Sequence, residues 1–266
     1  MITTNIIKSI SNRSLLPNLI TCASLTCGIT AIRLGIDGDF HLAVTAIILS
    51  MVLDALDGRI ARAIDGTSEI GAELDSLADL INFGVAPGVV IWLWSLHALG
   101  NTGWLVVILF ALACCMRLAR FNVSAVEVGK PGWKAKYFTG VNAPAGAALS
   151  LVPLYLSFSG FASSGTEIAQ YVAIYIAIIA GLMVSRTPTF SFKKISLTPS
   201  GKIASAISLL ALATALYLHP WFVLLAGSCI YILMIPFSIA CHRRDACRES
   251  EGEAQAEPGN SALLRN

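Results

Sequence analysis

Acidic and small residues recur at helical spacing between positions 54 and 79 of this chain. The first set follows the period of about 3.6 residues of an α-helix and therefore shares one face: Asp54, Asp57, Gly58, Ala61 and Arg62. A second set, spaced four residues apart, forms another such face: Gly71, Asp75 and Asp79. Because only the segment 63–70 separates the two sets, we expect two antiparallel neighbouring helices that bring four carboxylates together.

Four carboxylates at this density repel one another unless cations neutralise their charge. Ligand sets made only of oxygen suit hard divalent ions such as Mg²⁺ or Mn²⁺, and a pair of these ions can hold the oxygens of a phosphoryl group. Gly58 and Gly71 would let a nucleotide or pyrophosphate approach the backbone, and Arg62 carries a planar cation suited to phosphate. The pattern therefore indicates metal-assisted attack on a phosphoanhydride. Structural ion pairs with Arg33, Arg59 or Arg62 are the alternative.

The composition is that of a membrane protein. Hydrophobic residues make up 56% of the 266 positions and charged residues 13%, whereas soluble domains carry about 25% charged residues. A net charge of +2 excludes the concentrated basic surface of a nucleic-acid-binding protein. The seven cysteines lie mostly in apolar runs, which excludes the disulfide framework of a small secreted protein. We therefore expect a polytopic protein of the lipid bilayer.

Windows of about 20 apolar residues, the length that crosses the hydrocarbon core, predict an all-α fold with eight transmembrane helices. The spans are 16–36, 40–60, 76–98, 103–123, 143–161, 167–185, 203–219 and 221–240. Asn18, near the start of the first span, is expected to cap that helix, and the alternative is that it reaches the nucleotide. Residues 1–240 would form one membrane domain, and the polar segment 241–266 a disordered cytosolic tail.

Lysine and arginine residues accumulate on one side of these spans. They lie before span one, after span two, between spans four and five, between spans six and seven, and in the tail. Of the 18 basic residues, only Arg33 falls on the other side. Because such residues are enriched in cytoplasmic loops, both termini are predicted to be cytoplasmic. The aspartates then lie near the cytoplasmic face.

The spacing Asp54-x2-Asp57-Gly58-x2-Ala61-Arg62-x8-Gly71-x3-Asp75-x3-Asp79 resembles the signature of the CDP-alcohol phosphatidyltransferase family, with no position missing. The resemblance implies that the chain cleaves the pyrophosphate of a CDP-linked lipid, releases CMP and joins the phosphatidyl group to an alcohol. It implies two divalent metal ions, Mg²⁺ or Mn²⁺, on four aspartates: Asp54, Asp57, Asp75 and Asp79. It also makes Asp79 the catalytic general base. The residues that it assigns to the CDP-lipid are Gly58, Ala61, Arg62, Ser68 and Gly71.

Four further segments resemble those of the bacterial family members that use serine as the acceptor: 79–87, 117–122, 138–146 and 185–190. The resemblance extends from about Pro17 to Lys194 and departs at Asn82 and Asn142, where serine and proline are usual. It implies CDP-diacylglycerol and L-serine as substrates and phosphatidylserine and CMP as products. It further implies a homodimer in the bacterial cytoplasmic membrane.

A serine acceptor is a zwitterion, so its pocket needs a cation for the carboxylate and an acceptor for the ammonium group. The segment after span four supplies candidates at the membrane depth of the aspartates: Arg117, Arg120 and Asn122. Arginine can bind a carboxylate through two parallel hydrogen bonds. The alternative is that these arginines only follow the general enrichment of basic residues in cytoplasmic loops.

Three other functions remain open at this point. The same chemistry could use glycerol phosphate, inositol phosphate or choline as the acceptor. An Asp-rich membrane prenyltransferase also uses Mg²⁺ and a pyrophosphate, but it usually carries two separated acidic motifs. A cation transporter would place acidic residues in several spans near the midplane. The residues favour direct displacement by the acceptor, although a covalent intermediate on an aspartate is not excluded.

Overall fold

The computed structural model describes residues 12–66, 68–126, 137–161, 165–185, 187–190 and 213–256. Within these ranges the chain is helical apart from turns and one short ribbon. The first helices are α1 (Asn12–Ile36), α2 (Phe40–Ala63) and α3 (Glu69–Asp79). Helix α3 continues through a π-helical turn, Leu80–Val85, into α4 (Ala86–Trp94).

The second half of the fold begins after a 3₁₀ turn at Leu96–Leu99. Its helices are α5 (Asn101–Val126), α6 (Ala143–Ser150), α7 (Val152–Phe158), α8 (Ala169–Val184) and α9 (Pro220–Ala256). Residues 213–218 are also helical. An antiparallel ribbon pairs β1 (Tyr137–Thr139) with β2 (Pro188–Phe190).

Among the described residues, five helical segments are long and apolar enough to cross a membrane: Ser14–Ile36, Phe40–Ala63, Glu69–Trp94, Asn101–Val123 and Pro220–Ile239. Two shorter apolar segments, Ala143–Phe158 and Ala169–Val184, coincide with predicted spans five and six. Large apolar side chains such as Leu105 and Leu109 are exposed on the outer face of α5, as lipid contact requires. The prediction of a helical membrane protein is therefore confirmed. Predicted span 203–219 lies mostly outside the described residues.

Helix α3 begins at Glu69, before the apolar window that starts at residue 76. The Ser68 hydroxyl caps it by accepting a hydrogen bond of 3.0 Å from the backbone N–H of Gly71. The first turns of α3 are polar, so a search for apolar windows does not detect them. The early start places Gly71 and Asp75 inside the helix, as their spacing predicted.

Helix α9 extends to Ala256, beyond the position where the sequence predicted a disordered tail. Residues 241–256 are rich in arginine, glutamate and alanine, which have high helix propensity. A polar composition without apolar periodicity does not distinguish an irregular segment from an exposed helix. Residues 241–256 are thus helical, and the rest of the predicted tail, 257–266, lies outside the described residues.

Helices α1 and α2 pack against each other, and α1 also contacts α3 and α4. Away from the aspartates, small and branched side chains fill this core and are fully buried: Ala31, Ala43, Val44, Ile47 and Phe83. Small residues allow membrane helices to approach closely. The ion pair between Arg33 and Asp37 lies at the opposite end of the α1–α2 pair. Helix α1 therefore supports both helices that carry the aspartates.

The C-terminal end of α8 packs closely against the backbone at Gly140. The backbone N–H of Gly140 donates a hydrogen bond of 2.7 Å to the carbonyl of Thr187. Gly140 has a φ of +77°, in the left-handed region that favours glycine. A Cβ atom there would lie 2.7 Å from the Ser185 carbonyl oxygen and 2.8 Å from that of Met183. Only glycine fits this junction between β1 and α8.

We expect Gly140→Ala to lower the thermal unfolding temperature of the detergent-solubilised protein more than Gly160→Ala does. Both glycines have positive φ, at +77° and +79°, so each alanine strains the backbone by about 1 kcal/mol. Among the described residues, a Cβ at Gly160 meets no atom within 4 Å, whereas one at Gly140 displaces carbonyls of α8. Equal losses for the two variants would contradict the close packing at Gly140.

Candidate active site

The structure brings the four predicted aspartates together at the α2–α3 pair. Asp54 and Asp57 lie on α2, and Asp75 and Asp79 lie on α3. One carboxylate oxygen from each of Asp54, Asp57 and Asp75 lies within 4.8 Å of the others. Asp79 lies one turn further along α3, where its carboxyl group contacts that of Asp54. The two helical faces therefore converge as the spacing predicted.

This aspartate cluster fits a hard divalent cation. Among the described residues, no lysine or arginine forms an ion pair with these carboxylates, and the ion pair that the structure shows joins Arg33 to Asp37. Asp79 Oδ1 is buried and has no hydrogen-bond partner among them. A buried polar oxygen without a partner is costly in free energy. A cation bound by oxygen ligands would satisfy this atom and relieve the repulsion among the carboxylates.

Thr21 on α1 holds one of these aspartates. Its hydroxyl donates a hydrogen bond of 2.5 Å to Asp57 Oδ2, and the two residues are only 5% and 4% exposed. Outer partners of this kind orient the ligands of a metal ion. The sequence analysis did not identify Thr21. A hydroxyl in an apolar helix gives little local signal, because its partner lies in another helix.

A cavity of about 230 Å³ opens beside the cluster, between α1, α2 and the start of α3. All five residues that the sequence assigned to the CDP-lipid line it: Gly58, Ala61, Arg62, Ser68 and Gly71. Asp57 and Asp75, which belong to the aspartate cluster, form part of its wall. Lining residues not assigned to it from the sequence are Pro17, Asn18, Thr21, Gly66 and Ala72. The cavity therefore joins the predicted nucleotide site to the aspartates.

The position of Asn18 differs from that of a helix cap and agrees with the alternative, a residue of the predicted nucleotide site. Helix α1 begins at Asn12, so Asn18 lies inside it and lines the cavity. A Cβ atom on Gly71 would lie 2.8 Å from Asn18 Oδ1 and 3.0 Å from Ser68 Oγ. Gly71 therefore allows α1 and α3 to approach closely at this point.

Gly58 has a different role from Gly71. Within the described part of the chain, a Cβ atom on Gly58 would meet only the guanidinium nitrogens of Arg62, at 3.6 and 3.8 Å. The wall of the cavity is therefore bare backbone at Gly58. A ligand can approach the chain closely there, as the sequence predicted.

Arg117 is the predicted acceptor residue that lies beside the aspartates. It is 8% exposed and interacts electrostatically with Asp79. Its guanidinium carbon lies 5.3 Å from the centre of the Phe121 ring. Among the described residues it donates no hydrogen bond to a protein acceptor. A buried guanidinium with free donors can bind an anion.

The other two predicted acceptor residues bond to protein groups instead. Arg120 donates hydrogen bonds of 2.8 and 3.4 Å to the carbonyls of Val184 and Ser185, at the C-terminal end of α8. Basic side chains commonly satisfy the last carbonyls of a helix. Asn122 donates a hydrogen bond of 3.0 Å to the Ser76 hydroxyl on α3. The structure thus gives both residues a role in joining α5 to its neighbours.

Replacing Thr21 by valine keeps the side-chain shape and removes the hydrogen bond to Asp57. We expect Thr21→Val to weaken Mn²⁺ binding about tenfold, the lower end of the effect of outer-shell partners. Electron paramagnetic resonance of free Mn²⁺ during titration of the purified protein measures this. Thr26→Val is the matched control, because Thr26 lies on the same helix and bonds only to the Cys22 carbonyl. Unchanged affinity in Thr21→Val would contradict the role of Thr21.

Comparisons with known proteins agree with this geometry. The family model described as CDP-alcohol phosphatidyltransferase matches residues 14–183, which contain the aspartate cluster and the cavity. A CDP-diacylglycerol–serine O-phosphatidyltransferase of Mycobacterium tuberculosis is 33% identical over 235 residues, covering 87% of this chain and 80% of that protein. Proteins of the same name from Helicobacter pylori and Saccharomyces cerevisiae are also similar. The former is 36% identical over 182 residues (68% of this chain, 74% of that protein), the latter 41% over 135 residues (48% and 47%).

The matched range is more than half of the chain, and it includes every residue of the spacing that runs from Asp54 to Asp79. Three carboxylates of that spacing, those of Asp54, Asp57 and Asp75, converge beside a cavity lined by the glycines and arginine of the same spacing. On both grounds, the chain belongs to the CDP-alcohol phosphatidyltransferase family.

Proposed function

We propose that this chain transfers the phosphatidyl group of CDP-diacylglycerol to L-serine, giving phosphatidylserine and CMP. The observation that carries the proposal is the cavity between α1, α2 and α3, which opens onto the aspartate cluster within membrane-spanning helices. A lipid-linked nucleotide needs both a polar cavity and access from the bilayer. The names of the similar proteins supply the donor and the acceptor.

The proposed metal ligands are Asp54, Asp57, Asp75 and Asp79, and the proposed cofactor is a pair of Mg²⁺ or Mn²⁺ ions. Support comes from the three carboxylates within 4.8 Å and from the unpartnered oxygen of Asp79. When bound, the ions would neutralise the pyrophosphate and stabilise the charge that develops on departing CMP.

The CDP moiety is assigned to the cavity. Arg62 lines it and carries a guanidinium suited to phosphate oxygens, and Gly58 leaves the backbone open to close approach. Ala61 and Ser68 line the same cavity with small side chains, and Gly71 lines it with its backbone. Together these residues would hold the nucleotide with its phosphates towards the aspartates.

Asp79 is proposed as the general base. It would accept the proton of the serine hydroxyl as the serine oxygen attacks the phosphorus that carries the lipid. The bond from that phosphorus to the bridging oxygen then breaks, and CMP leaves with the electron pair. The buried Oδ1 of Asp79 has no hydrogen-bond partner among the described residues, which is compatible with a proton-accepting role.

Arg117 is proposed to bind the serine carboxylate. The support is its burial, its position beside Asp79 and its lack of a protein hydrogen-bond acceptor among the described residues. Arg120 and Asn122, which the sequence also assigned to the acceptor, would act indirectly by fixing α5 against α8 and α3. The acceptor hydroxyl would then meet Asp79 while its carboxylate meets Arg117.

The proposed topology has eight membrane spans, both termini in the cytoplasm and the aspartates near the cytoplasmic face of a bacterial inner membrane. It is supported by the distribution of lysine and arginine along the sequence. The Arg33–Asp37 ion pair, at the other end of the α1–α2 pair, would face the opposite side. A membrane domain of residues 1–240 with a cytosolic extension, and a homodimer, complete the proposal.

We expect CMP release from CDP-diacylglycerol by the purified protein with Mn²⁺ to require L-serine. The assay compares L-serine, glycerol 3-phosphate, inositol 1-phosphate, inositol and choline, each added separately. Asp79→Asn should lower the rate by about 10²–10⁴-fold, the usual contribution of a general base. Turnover only with another acceptor would contradict serine, and full activity of Asp79→Asn would contradict the assigned base.

We expect Arg117→Lys to raise the KM for L-serine at least about tenfold, because a lysine cannot reproduce two parallel hydrogen bonds to a carboxylate. Arg120→Lys is the matched control on the same helix. It should lower the thermal unfolding temperature, since Arg120 caps α8, while the KM for L-serine stays unchanged. The reverse pattern would assign the carboxylate to Arg120 instead.

A further inference from the structure

Asn82 forms a buried polar network that links three helical segments. It is fully buried, and its Nδ2 donates a hydrogen bond of 2.8 Å to the Ser24 hydroxyl on α1. The Ser24 hydroxyl in turn donates a hydrogen bond of 2.9 Å to the backbone carbonyl of Ser50 on α2. A hydroxyl has one proton, and Ser24 gives it to the Ser50 carbonyl, so Ser24 can only accept a hydrogen bond from Asn82. The NH2 group of Asn82 must therefore face Ser24, which fixes the orientation of the amide.

The same amide lies in the π-helical turn that directly follows Asp79. This turn, Leu80–Val85, has one residue more per hydrogen-bonded ring than an α-helix, and its backbone closes with the N–H of Ala86 on the carbonyl of Ile81. Asn82, Phe83 and Gly84 are consecutive and all buried in this turn. The wide turn therefore changes which side of the helix faces the core immediately after Asp79.

Gly28 on α1 provides the space that the Asn82 side chain occupies. Asn82 Oδ1 packs against Gly28 so closely that a Cβ atom on Gly28 would overlap it. This oxygen has no hydrogen-bond partner among the described residues. A buried amide that leaves one oxygen unpaired is costly, so stability alone does not explain an asparagine here. Such polar groups within membranes commonly mark function.

We propose that Asn82 is a positioning residue that sets the direction of Asp79 relative to Asp54 by fixing the π turn to α1 and α2. Ser50 lies four residues before Asp54 on α2. The carbonyl that accepts the hydrogen bond from Ser24 therefore belongs to the helical turn that directly precedes Asp54. One hydroxyl on α1 thus ties the segment that carries Asp54 to the segment that carries Asp79. The inference rests on the metal centre of the proposed function.

The test is Mn²⁺ binding to the full chain in detergent, measured by electron paramagnetic resonance. Asn82→Leu keeps the branching at Cγ and the number of heavy atoms but lacks the donor, and we expect it to raise the dissociation constant for Mn²⁺ about tenfold. At saturating Mn²⁺ the KM for L-serine should be unchanged. The matched control is Ser95→Ala, which removes a buried hydrogen bond of 2.6 Å to the Gly165 carbonyl at the far end of α4.

Ser24→Ala provides a second variant. It removes only the hydroxyl oxygen, so it changes the packing little, and it breaks the same network. It should weaken Mn²⁺ binding as Asn82→Leu does, and it decides the test if Asn82→Leu does not fold. Unchanged Mn²⁺ affinity in the folded variants, or an equal loss in Ser95→Ala, would overturn the role of Asn82 alone. Absence of Mn²⁺ binding by the unsubstituted chain would overturn the metal centre as well, so the two failures are distinguishable.

Discussion

Repulsion among four carboxylates held within one pair of membrane helices is the constraint on which the structure of this site depends. Three of them have oxygens within 4.8 Å, and no basic side chain among the described residues pairs with them. The hydrogen bond from Thr21 to Asp57 satisfies only one oxygen. In a low-dielectric environment, so many negative charges are stable when a divalent cation binds the carboxylates and neutralises them. The packing of α1 against α2 and α3 holds together the two helices that carry these carboxylates.

Helix α1 contacts both the cavity and the aspartate cluster, although it carries none of the four aspartates. Near its N-terminal end, Asn18 and Thr21 line the cavity beside the aspartates, and Thr21 also donates a hydrogen bond to Asp57. One turn deeper, Ser24 joins α2 to the π turn. Polar bonds between membrane helices are stabilising because water cannot replace them. The same helix face therefore controls both the shape of the cavity and the geometry of the aspartates.

Helical periodicity was sufficient to predict the convergence of Asp54, Asp57 and Asp75. Residues three or four positions apart lie on one face of a helix, and the short segment between the two helices makes them neighbours. The roles of Thr21 and Asn82 were not predictable in this way, since their partners lie 36 and 58 residues away. Arg120 has the sequence context of a ligand-binding residue, yet its hydrogen bonds go to carbonyls that lie 64 and 65 residues further along the chain. Contacts between helices that are far apart in the sequence depend on how the helices pack, and a short window of sequence does not determine that packing.

Anomalous diffraction from crystals of the protein grown with Mn²⁺ and CDP-diacylglycerol would test the central claim most directly, because it locates the metal ions without reference to activity. The account predicts two manganese peaks bound by Asp54, Asp57, Asp75 and Asp79, with the nucleotide in the adjoining cavity. Nucleotide in the cavity without manganese at the aspartates, or manganese bound elsewhere, would contradict it.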